Sequence, residues 1–131
     1  MVLLTHGHFD HITGLSDLLT ALGPLPVYVN RADYPAARSS FGGSVTLENI
    51  PNLHFYSDGD TLPLGDSTVE VIGTPGHTEG SVTLKVGDCL FTGDTLFCSS
   101  CGRTDLPGGS AQAMMNSLGR LGRLAGDFRV Y

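Results

Sequence analysis

The residues best suited to chemistry stand near the start of the 131-residue sequence. Thr5-His6-Gly7-His8-Phe9-Asp10-His11 follows directly on the apolar run Met1-Val2-Leu3-Leu4. Three histidines and a carboxylate this close together are too polar for a core. They are also too particular in kind for a solvated turn. On extended backbone, residues two apart point to the same side, so His6 and His8 can offer two imidazoles to one point. Gly7 between them adds no side chain and lets the backbone bend toward that point. Asp10 and His11 stand where a helical pattern begins, and they can face a second point close by. Neutral imidazole and carboxylate are the ligands of borderline divalent metals, zinc first, with Fe2+ and Mn2+ as alternatives. The plainer reading of the same residues is a histidine-rich turn at a strand end.

Two later turns could add to this cluster. Thr74-Pro75-Gly76-His77-Thr78 follows an apolar strand at a bend that Pro and Gly enforce, which places His77 well for a third imidazole. Thr92-Gly93-Asp94-Thr95 follows another strand in the same way, and its carboxylate can bridge two cations. Taken singly, each is also an ordinary turn. Cys98-Ser99-Ser100-Cys101 has Cys-x-x-Cys spacing but no second pair, so it reads as a loop rather than a zinc knuckle or redox centre. His54, alone among apolar residues, reads as a structural histidine.

The elements that must hold these groups are short. Residues 1–5 read as a buried strand, and residues 12–22 repeat Ile12, Leu15, Leu18, Leu19 and Leu22 at helical spacing until Gly23-Pro24 ends them. Residues 27–29 and 53–56 read as strands, residues 31–38 as a short helix, and residues 39–52 as a loop. Strands follow at 61–64 and 69–73, where alternation fits a half-buried antiparallel strand. Residues 80–86 and 89–92 flank the Gly87-Asp88 turn as a hairpin. A helix is expected within 110–125, weakened by glycines, and another strand begins at 128. The residues alone imply one mixed α/β domain over 1–131, a layer of helices against an antiparallel-rich sheet.

Composition narrows the partners. Thirteen acidic against seven basic residues give a net charge of −6, which argues against nucleic acid or an anionic membrane as partner. No apolar run approaches a membrane span. Three cysteines do not make a secreted disulfide framework, so a cytoplasmic location is expected.

His6-x-His8-x-Asp10-His11 after a hydrophobic strand resembles the metal motif of the metallo-β-lactamase superfamily. Gly76-His77 and Gly93-Asp94, each after a strand and in this order, resemble the rest of its ligand series. The resemblance implies an αββα sandwich. It also implies one metal held by His6, His8, His77 and Asp94, and a second held by Asp10, His11 and Asp94. Two such ions lie ~3.5–4 Å apart, and zinc lowers the pKa of its water to about 7, giving hydroxide at neutral pH. Asp10 would orient that hydroxide, which makes it the catalytic candidate. Thr5, Thr78 and Thr95 could hold ligand groups through their hydroxyls. The segment from Phe91 to Phe97, followed by Gly102-Arg103-Thr104-Asp105, is similar to glyoxalase II-like hydrolases, which implies a small-molecule thioester substrate. Related Gly-Arg-Thr-Asp loops occur in persulfide dioxygenases, which use a single iron. Arg103 is expected to pair with Asp105 and shape the loop.

The family pattern has strands before the first motif and a last histidine ligand after a Val-Tyr like Val130-Tyr131. Neither is in this sequence, where no histidine follows His77. The expectation is therefore an incomplete domain with a weakened second metal site and an exposed strand edge through which two copies could dimerise. A metal-binding chain with impaired catalysis is the third reading, beside thioesterase and iron oxidoreductase.

Overall fold

The structure, a computed structural model, describes residues 1–34 and 47–131. Three short parallel strands come first in the architecture. β1 (Val2–Leu3), β2 (Val27–Asn30) and β3 (Leu53–Tyr56) form a sheet in that order, with Val2 beside Val27 and Val27 beside Leu53. Parallel neighbours need crossovers, and the first is made by helices α1 (Phe9–Ile12) and α2 (Leu15–Leu22). The single helix expected over 12–22 is thus two, interrupted at Thr13-Gly14. Thr13 donates both its N–H and its hydroxyl to the Phe9 carbonyl. Of the apolar face, Ile12 and Leu15 are buried while Leu18 and Leu22 are exposed.

The second sheet has five strands in the order β10-β7-β6-β5-β4: Arg129–Val130, Cys89–Phe91, Val82–Val86, Ser67–Gly73 and Thr61–Leu64. All its pairings are antiparallel except that of β10 with β7. The expected Gly87-Asp88 hairpin is the β6–β7 turn. One antiparallel-rich sheet was the expectation from the residues; the parallel sheet is additional, because β1 to β3 are too short to show period 2 clearly.

Side chains of the first sheet alternate between two cores, as the pleat requires. Leu4, Val27 and Val29 pack with Ile12, Leu15 and Leu47 under α1 and α2. Leu3, Tyr28 and Tyr56 turn the other way, against Val69, Val71, Val82 and Leu84 of the second sheet. Each fully buried Val contributes roughly 1.5–3 kcal/mol. Helix α3 (Ala111–Leu121) starts at Ser110, whose hydroxyl accepts from the Ala113 N–H, and buries Met114, Ser117 and Leu121. The layers are therefore helix, sheet, sheet, helix.

Smaller features also differ from expectation. The described part of residues 31–38 holds a 3-10 turn at Arg31–Asp33, and another lies at Leu47–Asn49 within the expected loop. The parts of both segments that fall in 35–46 lie outside the described residues. Cys98 and Ser99 form the turn of a small hairpin, β8 (Leu96–Phe97) with β9 (Ser100–Cys101), rather than a plain loop. Ser99 takes φ +62° there. Among the described residues β1 is an edge strand, paired with β2 alone. Among the described residues no helix is long and apolar enough to cross a membrane.

Candidate metal centre

Three loops that follow strands meet at one edge of the sandwich. His6 and His8 leave the end of β1, whose continuation is bonded to both sheets: the Val82 N–H of β6 donates to the Thr5 carbonyl, and the Tyr56 hydroxyl of β3 donates to the Leu4 carbonyl. His77 sits in the turn after β5, gripped by α3. The Ser117 hydroxyl donates to the Pro75 carbonyl at 2.7 Å, the Ser110 N–H to the Gly76 carbonyl at 2.8 Å, and Arg120 to the Gly73 carbonyl at 3.0 Å. Gly76 is required twice over here. Its φ is +145°, and a methyl group on it would sit 2.5 Å from the Met114 backbone. Asp94 lies in the turn after β7, closed by the Thr95 N–H donating to the Thr92 carbonyl.

These turns bring the side chains together. His8 Nδ1 and His77 Nε2 are 2.7 Å apart. The His6 ring lies 4.9 Å from each of theirs, centroid to centroid. One nitrogen each of His6, His8 and His77 falls within 4.8 Å of the others, and so does one set of atoms from His6, His11 and Asp94. Asp94 bridges the groups, with Oδ2 3.3 Å from His77 Nε2 and Oδ1 3.4 Å from His11 Nε2. Asp10 stands apart at the rim: its side chain is 59% exposed, and its carboxylate comes no nearer than 4.0 Å to His11 Nε2.

The proton positions favour metal binding. The Arg103 carbonyl lies 2.8 Å from His77 Nδ1 and can only accept, so Nδ1 donates and Nε2 is the nitrogen left for a ligand bond. His6 is 1% exposed. Burial, with His11, His77 and His8 around it, pushes its pKa down to about 2, and burial likewise lowers that of His8. Both imidazoles are neutral, which is the ligand form. Among the described residues, His6 Nε2 is the one buried side-chain nitrogen or oxygen without a hydrogen-bond partner. Such an atom is costly unless something pairs with it. It points into a set of imidazoles and a carboxylate, so the donor set suits a divalent cation.

Residues 2–131 match the model of the metallo-β-lactamase superfamily. The chain belongs to this superfamily. A hydroxyacylglutathione hydrolase of Gloeobacter violaceus is 40% identical over 129 residues, covering 97% of this chain and 46% of that protein. Such relatives support a glyoxalase II-like member of the superfamily. The solved structure of TTHA1623 in a di-iron-bound form is similar at TM-score 0.77 and 35% identity, over 98% of this chain and 66% of that one. ETHE1 from Myxococcus xanthus is similar at TM-score 0.76 and 33% identity, over 99% and 51%. The chain spans about half the length of the curated relatives it matches. The curated relatives named here are hydrolases, and the first of these solved structures holds two iron ions.

The neighbouring hydroxyls divide their work. Thr5 Oγ1 lies 3.3 Å from His6 Nδ1, whereas Thr95 bonds Thr74 and Thr78 bonds Asp33. His54 is exposed, bonded to Asn52 and stacked on Tyr28. Asp33 is the group that sequence reading missed. It is an acid in a short turn, and nothing local marks it as buried. Beside the cluster opens a hollow of about 640 Å³, lined by His11, Asp94, Phe97, Cys98, Phe128 and Tyr131 among others.

Proposed function

We propose that this chain carries the metal centre of a glyoxalase II-like thioesterase. The unpartnered buried His6 Nε2, ringed by His8, His77 and Asp94, is the observation that supports it most. In this reading His6, His8, His77 and Asp94 hold one ion, zinc by preference, and Asp10, His11 and Asp94 hold a second more loosely. A bound divalent metal supplies Lewis-acid polarisation of a carbonyl and an acidified water. The rest belongs to the chain. The Arg103 carbonyl fixes the His77 tautomer, and Asp94 ties the two ligand groups together. Asp10, exposed at the rim, accepts a hydrogen bond from the attacking water and aims it. The hollow beside Phe97 and Tyr131 gives an acyl group apolar walls and is of a size usual for small ligands. The thioester C–S bond breaks as the C–O bond forms, and the products are a carboxylic acid and a thiol.

The test is metal stoichiometry by elemental analysis after dialysis, with thioester hydrolysis assayed in excess Zn2+. One retained ion per chain and measurable turnover support the reading; retention without turnover leaves a metal-binding protein with impaired catalysis. The Gly102-Arg103-Thr104-Asp105 loop and the structural likeness to ETHE1 support a second reading, a single-iron oxidoreductase of the persulfide dioxygenase kind. Iron as the retained metal, together with oxygen uptake in the presence of a persulfide, would select it.

A further inference from the structure

We infer that Asp33 is the positioning residue of this centre, a buried carboxylate that locks the His6–His8 loop to the His77 loop. The inference rests on the metal centre proposed above. Asp33 ends the 3-10 turn after β2 and is 1% exposed. Its Oδ2 accepts from the Gly7 backbone N–H at 2.9 Å and from the Thr78 hydroxyl at 2.6 Å. Its Oδ1 accepts from the Gly80 N–H at 2.7 Å. Gly7 lies between His6 and His8, and Thr78 and Gly80 lie just after His77. One side chain therefore bonds both segments whose imidazoles meet 2.7 Å apart, His8 Nδ1 against His77 Nε2.

The two glycines are fitted to this carboxylate. A methyl group on Gly7 would sit 2.7 Å from the Asp33 carbonyl oxygen, and one on Gly80 would sit 2.6 Å from the carboxylate carbon. Neither glycine has a positive φ, so space rather than backbone freedom accounts for both. Thr78 is held on its other side by Ser81, whose hydroxyl lies 2.7 Å from Thr78 Oγ1 and accepts from the Thr78 N–H at 3.1 Å. Three donors converge on two oxygens, and all three belong to ligand loops. Outer partners of this kind orient the ligating imidazoles, and their loss typically weakens metal binding 10–100-fold.

Asp33→Asn keeps the shape but turns one acceptor into an NH2 donor. Whichever way the amide lies, that donor faces the N–H of Gly7 or of Gly80, so one loop loses its tie. Thr78→Val removes only the hydroxyl donor and leaves both backbone ties. The measurements are Zn2+ affinity by competition with a chromogenic chelator, the visible absorption bands of the Co2+-loaded chain, and circular dichroism of the metal-free proteins. The expected result is Zn2+ affinity about 10–100-fold weaker in Asp33→Asn, with shifted Co2+ bands and unchanged metal-free circular dichroism. Thr78→Val should fall between this variant and wild type. If Asp33→Asn does not fold, Thr78→Val decides: shifted bands with weaker Zn2+ binding support the inference, and wild-type values overturn it. A folded Asp33→Asn with wild-type affinity and bands overturns the inference alone. A wild-type chain that takes up neither ion overturns the proposed centre and the inference with it.

Discussion

His6 and Asp10 belong to one loop, yet they stand in opposite surroundings. His6 is buried at the sandwich edge, with one ring nitrogen unpartnered and burial holding it neutral. Asp10 hangs at the rim, 59% exposed. The same contrast divides the cluster. His6, His8 and His77 are buried and mutually in contact, while His11 and Asp94 open toward solvent. A buried imidazole set has already lost its own water, so only the ion remains to be dehydrated on binding; an exposed carboxylate has room to move toward a substrate. Under the proposed function, holding and reacting therefore fall to different ends of one site. This division can be tested by breaking each end separately.

The largest effect is expected at the buried end. His8→Ala should lower the affinity of the tight site by more than about 100-fold, beyond what loss of an outer partner usually costs. Elemental analysis of the dialysed variant should then find less than one retained ion per chain. At the rim the outcome should differ in kind. Asp10→Asn should retain its metal through dialysis and lose roughly 10–100-fold in thioester turnover. If both variants lost metal equally, the contrast between the two ends would be mistaken.

A third substitution separates the scaffold from the site. Gly76→Ala forces a side chain into φ +145° and against the Met114 backbone. Strain at such a position costs of order 1–3 kcal/mol. The metal-free protein should therefore melt at a lower temperature, as followed by circular dichroism. Gly14→Ala, where an added methyl meets nothing within 4 Å, is the control and should melt within a few degrees of wild type.

Much of this architecture was legible in the residues. The alternation of Thr68, Val69, Glu70 and Val71 marked a strand buried on one side, and Gly87-Asp88 marked its neighbouring hairpin. His6-x-His8 carried its own geometry, since residues two apart on extended backbone share a side. What was hidden depended on distant contacts. β1 has only two residues in register with β2, too few for a period. Asp33 gave no signal because its partners lie 26 residues before it and 45 and 47 after it. Gly7 read as a source of backbone bend, whereas the structure gives its lack of a side chain a further use, as room for Asp33.

The smallest effect concerns Arg103, where side chain and backbone act separately. The guanidinium is 59% exposed and forms two bonds of 2.7 Å with Asp105, lowering the Asp105 pKa to about 2. The Arg103 carbonyl, by contrast, is what receives the His77 Nδ1 proton. Exposed ion pairs contribute about 0–1 kcal/mol, and alanine leaves the carbonyl in place. Arg103→Ala should therefore keep Zn2+ affinity within about fivefold of wild type. The chelator competition used for Asp33 measures it. A larger loss would mean that the ion pair, and not the packing of the loop, holds the carbonyl against His77. The loop's contribution to the buried end would then pass through an exposed and salt-sensitive contact. Repeating the titration of wild-type protein at 1 M salt, where charges are screened beyond ~3 Å, would reveal that dependence directly.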